Sequence, residues 1–331
     1  MADAIDLVTG GHGFIGSHIV AALRSRGRRV RVLDVAEPPP EHRADEVLRG
    51  SVTDAEDVRR AVTGVERVFH AAGNPQLWDR NPSVFDSVNA GGTRTILRAC
   101  RDAGVKGFVY TSTDVIGVGG RPIGDYAKSK HAAEELVLAE ASAGLDAVIV
   151  CPGPPIGPGD RNLTPPTKML RQFINDPPPV YYDCVLHLID VRDVAEGHVV
   201  AGDRGRCGVR YPLRGEPIRF RELLGILEQV TGVRMPRRRI PYLVALAGAA
   251  ASQVIDERIR GREPVATVTG VRLGRRSSRV SSTMHGEELG LARSPISEAV
   301  RDAVHWLATE GLLEPSRVPD ALRRHAVTSA N

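Results

Sequence analysis

Ten residues near the N-terminus, VTGGHGFIGS (Val8–Ser17), restrict the fold more than any other stretch of this chain. They follow an apolar run, precede an apolar helical pattern, and place glycine at every third position: Gly10, Gly13 and Gly16. A strand that ends at Thr9 and turns sharply into a helix needs Gly10 for the turn, Gly13 for close approach of the backbone to a pyrophosphate, and Gly16 for packing of the helix on the strand. Phosphates then rest on the helix N-terminus, where unpaired N–H groups and the helix dipole favour negative charge. A tight turn with no ligand is the competing reading of the glycines alone, so the rest of the chain has to decide.

From Ile5 to Ile149, short β-branched runs alternate with longer helical patterns. IDLVTG is followed by a predicted helix around Ser17 to Ser25, RRVRVLDV by one around Asp54 to Val62, and VERVFHAAG by one around Val84 to Ala103. VKGFVYTST leads to a helix around Tyr126 to Ala143, and LDAVIVCPG follows it. Such alternation builds right-handed βαβ crossovers and a parallel sheet covered on both faces. The expected fold class is therefore α/β, a doubly wound parallel sheet of the Rossmann type. After Pro152 the rhythm breaks into the proline-rich connections CPGPPIGPGD and NDPPP, while VLHLIDVRDVAEGHVVA and VRYPLRG read as a return to the sheet. FRELLGILEQVTG and the last third read as helical. The pattern predicts a dinucleotide-binding domain from residues 1–160 and about 187–213, and a discontinuous, mostly helical substrate lobe from 161–186 and about 214–331.

Composition narrows the function classes. The 331 residues are enough for one large domain and a smaller lobe. A hydrophobic content of 42% and a charged content of 25% are those of a soluble globular protein. Cys100, Cys151, Cys184 and Cys207 show no C-x-x-C spacing, which predicts a reducing compartment and no metal site. The opening MADAID has no basic stretch ahead of an apolar one, so no signal peptide is read and a cytoplasmic location is expected. The most apolar segment, IPYLVALAGAAASQVI (Ile240–Ile255), is too short and too alanine-rich to span a bilayer comfortably. It reads as a packed helix in preference to an interfacial one, and membrane association is not expected. Arginines cluster at 234–239 and 272–279 without interleaved aromatics, which describes a solvated face and not a nucleic-acid site. A pocket for an anionic substrate group is the alternative use of these arginines.

Context then strengthens the dinucleotide reading. The second predicted strand ends in Asp34, 18 residues past Gly16, at the acidic position that hydrogen-bonds an adenosine ribose. A carboxylate there repels a 2′-phosphate, so the cofactor expected is NAD and not NADP. Further on, YTST closes a strand with Ser112, and DYAKSK opens a helix with Tyr126 and Lys130 four residues apart on one face. A free tyrosine has a pKa near 10, and a fixed ammonium together with a positively charged nicotinamide ring would favour its phenolate. Ser112 is placed to hold the reacting oxygen.

With these residues in view, the sequence resembles the extended short-chain dehydrogenase/reductase superfamily, also called the NAD-dependent epimerase/dehydratase family, over nearly its whole length. TGGHGFIGSH matches the family's cofactor loop, which implies that Gly10, Gly13, Phe14, Ile15 and Gly16 line the cofactor. VFHAAG matches the third-strand motif, implying cofactor contacts from Ala71, Ala72 and Gly73, and CPGPPIGPGD looks like the family's Arg-Pro-x-x-x-x-Gly-Pro segment with cysteine in place of arginine, implying a cofactor contact from Pro152. VNAGGT matches an Asn-x-x-Gly-Thr helix with Asn89 as its asparagine, and LIDVRDVAEGHVVA a late strand-to-helix motif. The resemblance implies Ser112, Tyr126 and Lys130 as the catalytic set, Asn89 as a supporting fourth member, cofactor contacts from Tyr126 and Lys130, a small-molecule substrate and a homodimer.

The departures shape the substrate reading. Only 14 residues separate Ser112 from Tyr126, so GVGGRPIG looks like a trimmed substrate loop, and Leu186 stands near where nucleotide-sugar epimerases place an arginine for the diphosphate. GPGDRNLTP and the tail GEELGLARSPISEAVRDAVHWLATEGLL resemble the branch of 3β-hydroxysteroid and sterol dehydrogenases, dihydroflavonol reductases and hopanoid-associated epimerase-like proteins. The expectation is an NAD(H)-dependent oxidoreductase acting on a bulky, fairly apolar secondary alcohol or ketone. A nucleotide-sugar epimerase that retains NAD is the alternative, and a non-catalytic NAD sensor is disfavoured by the intact catalytic set. A 4,6-dehydratase is disfavoured because Asp114 is followed by Val115 and not by a second acid.

Overall fold

A computed structural model of the protein describes residues 4–117, 121–261, 263–278 and 288–317. The GVGGRPIG loop expected to be trimmed lies partly outside the described residues, as do Arg279 and the start of the tail motif. The chain divides into two compact units. One consists of Met1–Gly153, Val191–Arg214 and part of Thr283–Ala292, and the other of Pro154–Asp190, Gly215–Ser282 and Arg293–Asn331.

The first unit is built on a parallel sheet. Its strands are β1 (Ile5–Thr9), β2 (Arg29–Asp34), β3 (Glu46–Arg49), β4 (Val65–His70), β5 (Gly107–Thr111), β6 (Asp146–Pro152) and β7 (Arg210–Leu213). Their spatial order is β7-β6-β5-β4-β1-β2-β3, and every neighbouring pair is parallel. The order reverses between β1 and β4, the switch point at which doubly wound sheets open a crevice beyond the carboxyl ends of their strands. Thr9 and His70 end the two strands that flank this point, and Thr111 ends β5, the next strand along. The core explains why the strands read as continuous apolar runs: Leu7, Leu33, Val68, Phe108 and Ile149 are each no more than 1% exposed.

The helices depart from expectation in ways that matter for the site. The first begins at Phe14, directly on the glycine turn, and the helix that carries Tyr126 begins at Gly124. The helix expected around Val84 to Ala103 contains a π turn at Asp86–Gly91 before a regular stretch at Gly92–Ala103. Strand β3 was not anticipated, because EVLR is half charged; it forms by pairing with the edge of β2, Val47 beside Val32 and Arg49 beside Asp34.

In the second unit the helices are Pro165–Asn175, Phe220–Thr231, Tyr242–Val254, Val268–Ser277 and Ile296–Thr309. Ile156, Leu170, Ile174, Leu223, Ala303 and Leu307 form its core, all fully buried. A buried leucine or isoleucine contributes about 1.5–3 kcal/mol by leaving water, so this core can hold short, proline-bounded helices together. Leu186 sits in the two-residue strand Val185–Leu186 and pairs with Ile218. The helix from Tyr242 is packed on one side only: Ala245 and Ala249 are buried, while Leu243 and Val244 are exposed. No helix among the described residues is long and apolar enough to cross a membrane.

Candidate active site

The glycine turn is built by steric exclusion. Gly10 has φ +69, and a Cβ there would stand 2.7 Å from the Ala72 Cα and 2.8 Å from the Ala72 nitrogen. A Cβ on Gly16 would overlap the Gly10 carbonyl, and one on Gly13 would come within 3.1 Å of the same oxygen. The loop leaving β4 closes on this turn, with Ala71 N–H donating to Thr9 O at 3.1 Å and Ala72 N–H to Thr9 Oγ1 at 3.4 Å. The helix Phe14–Ser25 has no side-chain cap and no acidic residue in its first turn. Its N-terminus is thus left to an external anion. Phe14 is buried against the core and Ile15 is half-buried at this end.

Asp34 ends β2 beside this turn. Its carboxylate accepts from His12 N–H and from Ala36 N–H, each at 2.9 Å, which fixes both oxygens beside the glycine turn. Each carboxylate oxygen retains acceptor capacity beyond one such bond. A cradle that any Cβ would fill and an oriented carboxylate beyond it fit a dinucleotide with a free 2′-hydroxyl.

At the other end, Tyr126 and Lys130 lie on the helix Gly124–Ser142. Lys130, 5% exposed, donates from Nζ to Thr111 O at 2.6 Å and stands 4.5 Å from the centroid of the Tyr110 ring. Burial holds its ammonium down to about 7. Burial also pushes the Tyr126 phenol up to about 12; the Thr113 hydroxyl bonded to it opposes this, and the nearby Asp114 carboxylate adds to it. The phenol is therefore held in its protonated form.

Ser112, expected to hold the reacting oxygen, has its hydroxyl engaged elsewhere, and Thr113 is the neighbouring hydroxyl that lowers the Tyr126 phenol. Ser112 Oγ donates to Glu134, which is fully buried on the same helix and paired with Arg210 of β7. Cys151 Sγ approaches the same Glu134 oxygen at 3.7 Å, and burial raises its thiol to about 12, so it is an inert wall. Asp114, 8% exposed, meets the Arg214 guanidinium at 3.1 Å; burial still pushes its carboxyl up to about 6.

Asn89 lies in the π turn, where an extra residue per turn re-aims side chains. Its Oδ1 accepts from Asn74 N–H at 2.8 Å and its Nδ2 donates to Ser129 Oγ at 2.9 Å, which links the β4 loop to the helix of Tyr126. Gly73 is needed beside it, since a Cβ there would lie 2.9 Å from Asn89 Oδ1. Behind them, Thr9 Oγ1, His70 Nδ1, His70 Nε2 and Thr93 Oγ1 form a buried chain of 2.7 and 3.0 Å bonds, and burial lowers His70 to about 3. Pro152 ends β6, and the next residue, Gly153, bonds Leu213 O at 2.7 Å. The sequence reading had missed Thr113, Ser129, Glu134, Arg210, Arg214 and His70.

The profile of the family described as "NAD dependent epimerase/dehydratase family" matches residues 7–212, which contain all of these groups except Arg214. The chain belongs to this family. Its cofactor is NAD, and the residues at the turn and at Asp34 fit it. Similar proteins include a putative dihydroflavonol 4-reductase of Synechocystis, 34% identical with 95% of this chain and 97% of that protein aligned. Sterol demethylase protein B of Methylococcus capsulatus is 30% identical over 93% of this chain and 99% of that protein. The crystal structure of gox2253 superposes with a TM-score of 0.79 at 32% identity, covering 94% of this chain and all of the other.

Proposed function

We propose that this family member is an NAD(H)-dependent dehydrogenase or ketoreductase that interconverts a secondary alcohol and a ketone on a bulky, largely apolar substrate. The observation that carries the reading is the placement of Tyr126 and Lys130 on one helix, with Lys130 Nζ clamped by the Thr111 carbonyl at 2.6 Å. NAD, when bound, takes up or gives the hydride and sets a positive ring beside the phenol. Thr113 donates to the substrate oxygen, and Tyr126 takes its proton in oxidation or returns it in reduction. Lys130 holds the cofactor ribose side and the charge balance. Bringing the phenol from about 12 to neutrality requires about 6–7 kcal/mol of stabilisation, which a cation in a water-poor site is able to supply. Asn89 positions the helix through Ser129.

The names of the two relatives, one a putative dihydroflavonol 4-reductase and one a sterol demethylase protein, support a bulky, polycyclic substrate. Arg214, the cation next to the Thr113 side, is bound to Asp114 and so is engaged in an internal pair, which weighs against a nucleotide-sugar diphosphate. A panel of sterol-like, flavonoid-like and polyketide-like alcohols and ketones, run with NAD and NADH beside UDP- and dTDP-sugars, tests the proposal. Net change at the nicotinamide wavelength with the apolar panel is the expected result. Conversion of the nucleotide sugars alone, without net NADH, would overturn it in favour of epimerisation.

A further inference from the structure

The helix Tyr242–Val254 and the π turn Ile255–Ile259 that continues it carry their apolar side chains on the wrong side for a buried helix. Ala245, Ala249 and Asp256, spaced at helical intervals, face the second unit and are buried. Asp256 anchors that side by accepting from Ser252 Oγ at 3.0 Å and pairing with Arg260 at 3.2 Å. The opposite side is open: Leu243 is 71% exposed and Ile259 76%, with Val244, Val254 and Ile255 between them. Among the described residues, six of the eight exposed large hydrophobic side chains lie here, counting Val265 just beyond the turn. No charged residue interrupts the segment between Arg239 and Asp256. An exposed apolar surface of this continuity marks a docking face.

Charge selects the occupant. Arg238 and Arg239 precede the helix and Arg258 follows its apolar stretch; all are exposed, and none is in an ion pair among the described residues. Arg275 stacks on Tyr242 at the helix start, 4.1 Å from the ring centroid, and Arg272 is exposed on the neighbouring helix. Glu257 is the acidic exception. A second copy of the chain docked by this face would bring arginines against arginines in either direction of the helix. An anionic surface converts the same arginines into attraction, and an apolar strip flanked by basic residues with a tyrosine at its end is the pattern of a helix lying in the headgroup boundary.

We propose that this face seats the protein on anionic bilayers, with the helix Tyr242–Val254 lying in the membrane plane. The inference is independent of the substrate proposed above, since it rests only on the exposed apolar face and the arginines that flank it. The test is co-sedimentation of the full chain with extruded vesicles of phosphatidylcholine alone and of equimolar phosphatidylcholine and phosphatidylglycerol, at low and high salt. Binding to the phosphatidylglycerol vesicles that weakens with salt is expected. Arg238→Gln with Arg239→Gln should lower partitioning about thirtyfold, on the basis of roughly fivefold per basic residue. Leu243→Ser with Ile255→Ser should abolish binding while NAD titration and circular dichroism stay unchanged, both positions being exposed. The proposal is overturned by no binding to phosphatidylglycerol vesicles, by undiminished binding of the serine variant, or by a wild-type dimer that the serine substitutions convert to monomer.

Discussion

Replacing Thr113 by valine separates the two hydroxyls that the sequence leaves undistinguished. Valine keeps the shape and β-branching of threonine and removes only the hydroxyl that lowers the Tyr126 phenol. Two effects follow in the same direction. The phenol loses the hydrogen bond that opposes its burial, and the reacting oxygen loses a donor aimed at the charge it develops. Removal of one such donor in a water-poor site costs about 2.7–4 kcal/mol in the transition state, or roughly 10²–10³ in kcat, with little change in KM. Ser112→Ala has a different signature, because Ser112 donates to the fully buried Glu134 and not to Tyr126. Loss of a hydrogen bond to a buried charged group costs about 1.5–3 kcal/mol of folding stability, while kcat should stay close to that of the wild type. The assay is steady-state NADH formation with the best alcohol of the substrate panel, paired with urea unfolding of both variants. If Ser112→Ala reduces kcat as deeply as Thr113→Val, or if Thr113→Val retains most of its activity, the assignment of the reacting-oxygen donor to Thr113 is wrong.

The other predictions concern the cofactor and the proton. NAD should bind at least about tenfold more tightly than NADP, a difference of about 1.4 kcal/mol, and Asp34→Ser should erase it; calorimetric titration of both cofactors decides, and equal wild-type affinities refute the role of Asp34. Gly16→Ala drives a methyl into the Gly10 carbonyl, so NAD affinity should fall at least about a hundredfold, which unchanged binding by fluorescence titration would contradict. Tyr126→Phe should lower kcat by about 10²–10⁴ and leave NAD affinity nearly intact, whereas Lys130→Met should harm both. The Asp114 carboxylate raises the Tyr126 phenol, so Asp114→Asn should move the acidic limb of the alcohol-oxidation pH profile to lower pH by about half to one unit; a shift to higher pH would reverse the sign of the argument.

What the sequence disclosed, and what it hid, follows from the range of each signal. The parallel sheet and the glycine turn are local: a period of apolar runs and a steric need at fixed spacing are both written in consecutive residues. Strand β3 escaped notice because Glu46 and Arg49 dilute its apolar content, and its existence depends on the edge that β2 offers. The choice between Ser112 and Thr113 escaped for a different reason. Strand β5 is buried on both faces, so no alternation of polar and apolar residues sets which way its end points, and a slip of one residue exchanges the two sides. Thr111 bonds His198 on one side of the sheet and Ser112 bonds Glu134 on the other, leaving Thr113 for Tyr126. The chain from Thr9 through His70 to Thr93 was invisible because its members are far apart in sequence and none belongs to a spacing motif.

The ion pairs of Glu134 and Asp114 have a bearing on how the enzyme is made. Every side chain assigned to hydride or proton transfer lies before residue 131, yet the cations that complete their surroundings, Arg210 and Arg214, arrive about 80 residues later along the chain. A nascent polypeptide that has emerged only through β6 holds the whole reactive set with two buried carboxylates still lacking their counterions, a state that water and proton uptake must stabilise. Completion of the site therefore waits on the seventh strand, which pairs with β6 only after a long crossover, and an N-terminal portion released before that strand cannot serve as a working NAD enzyme.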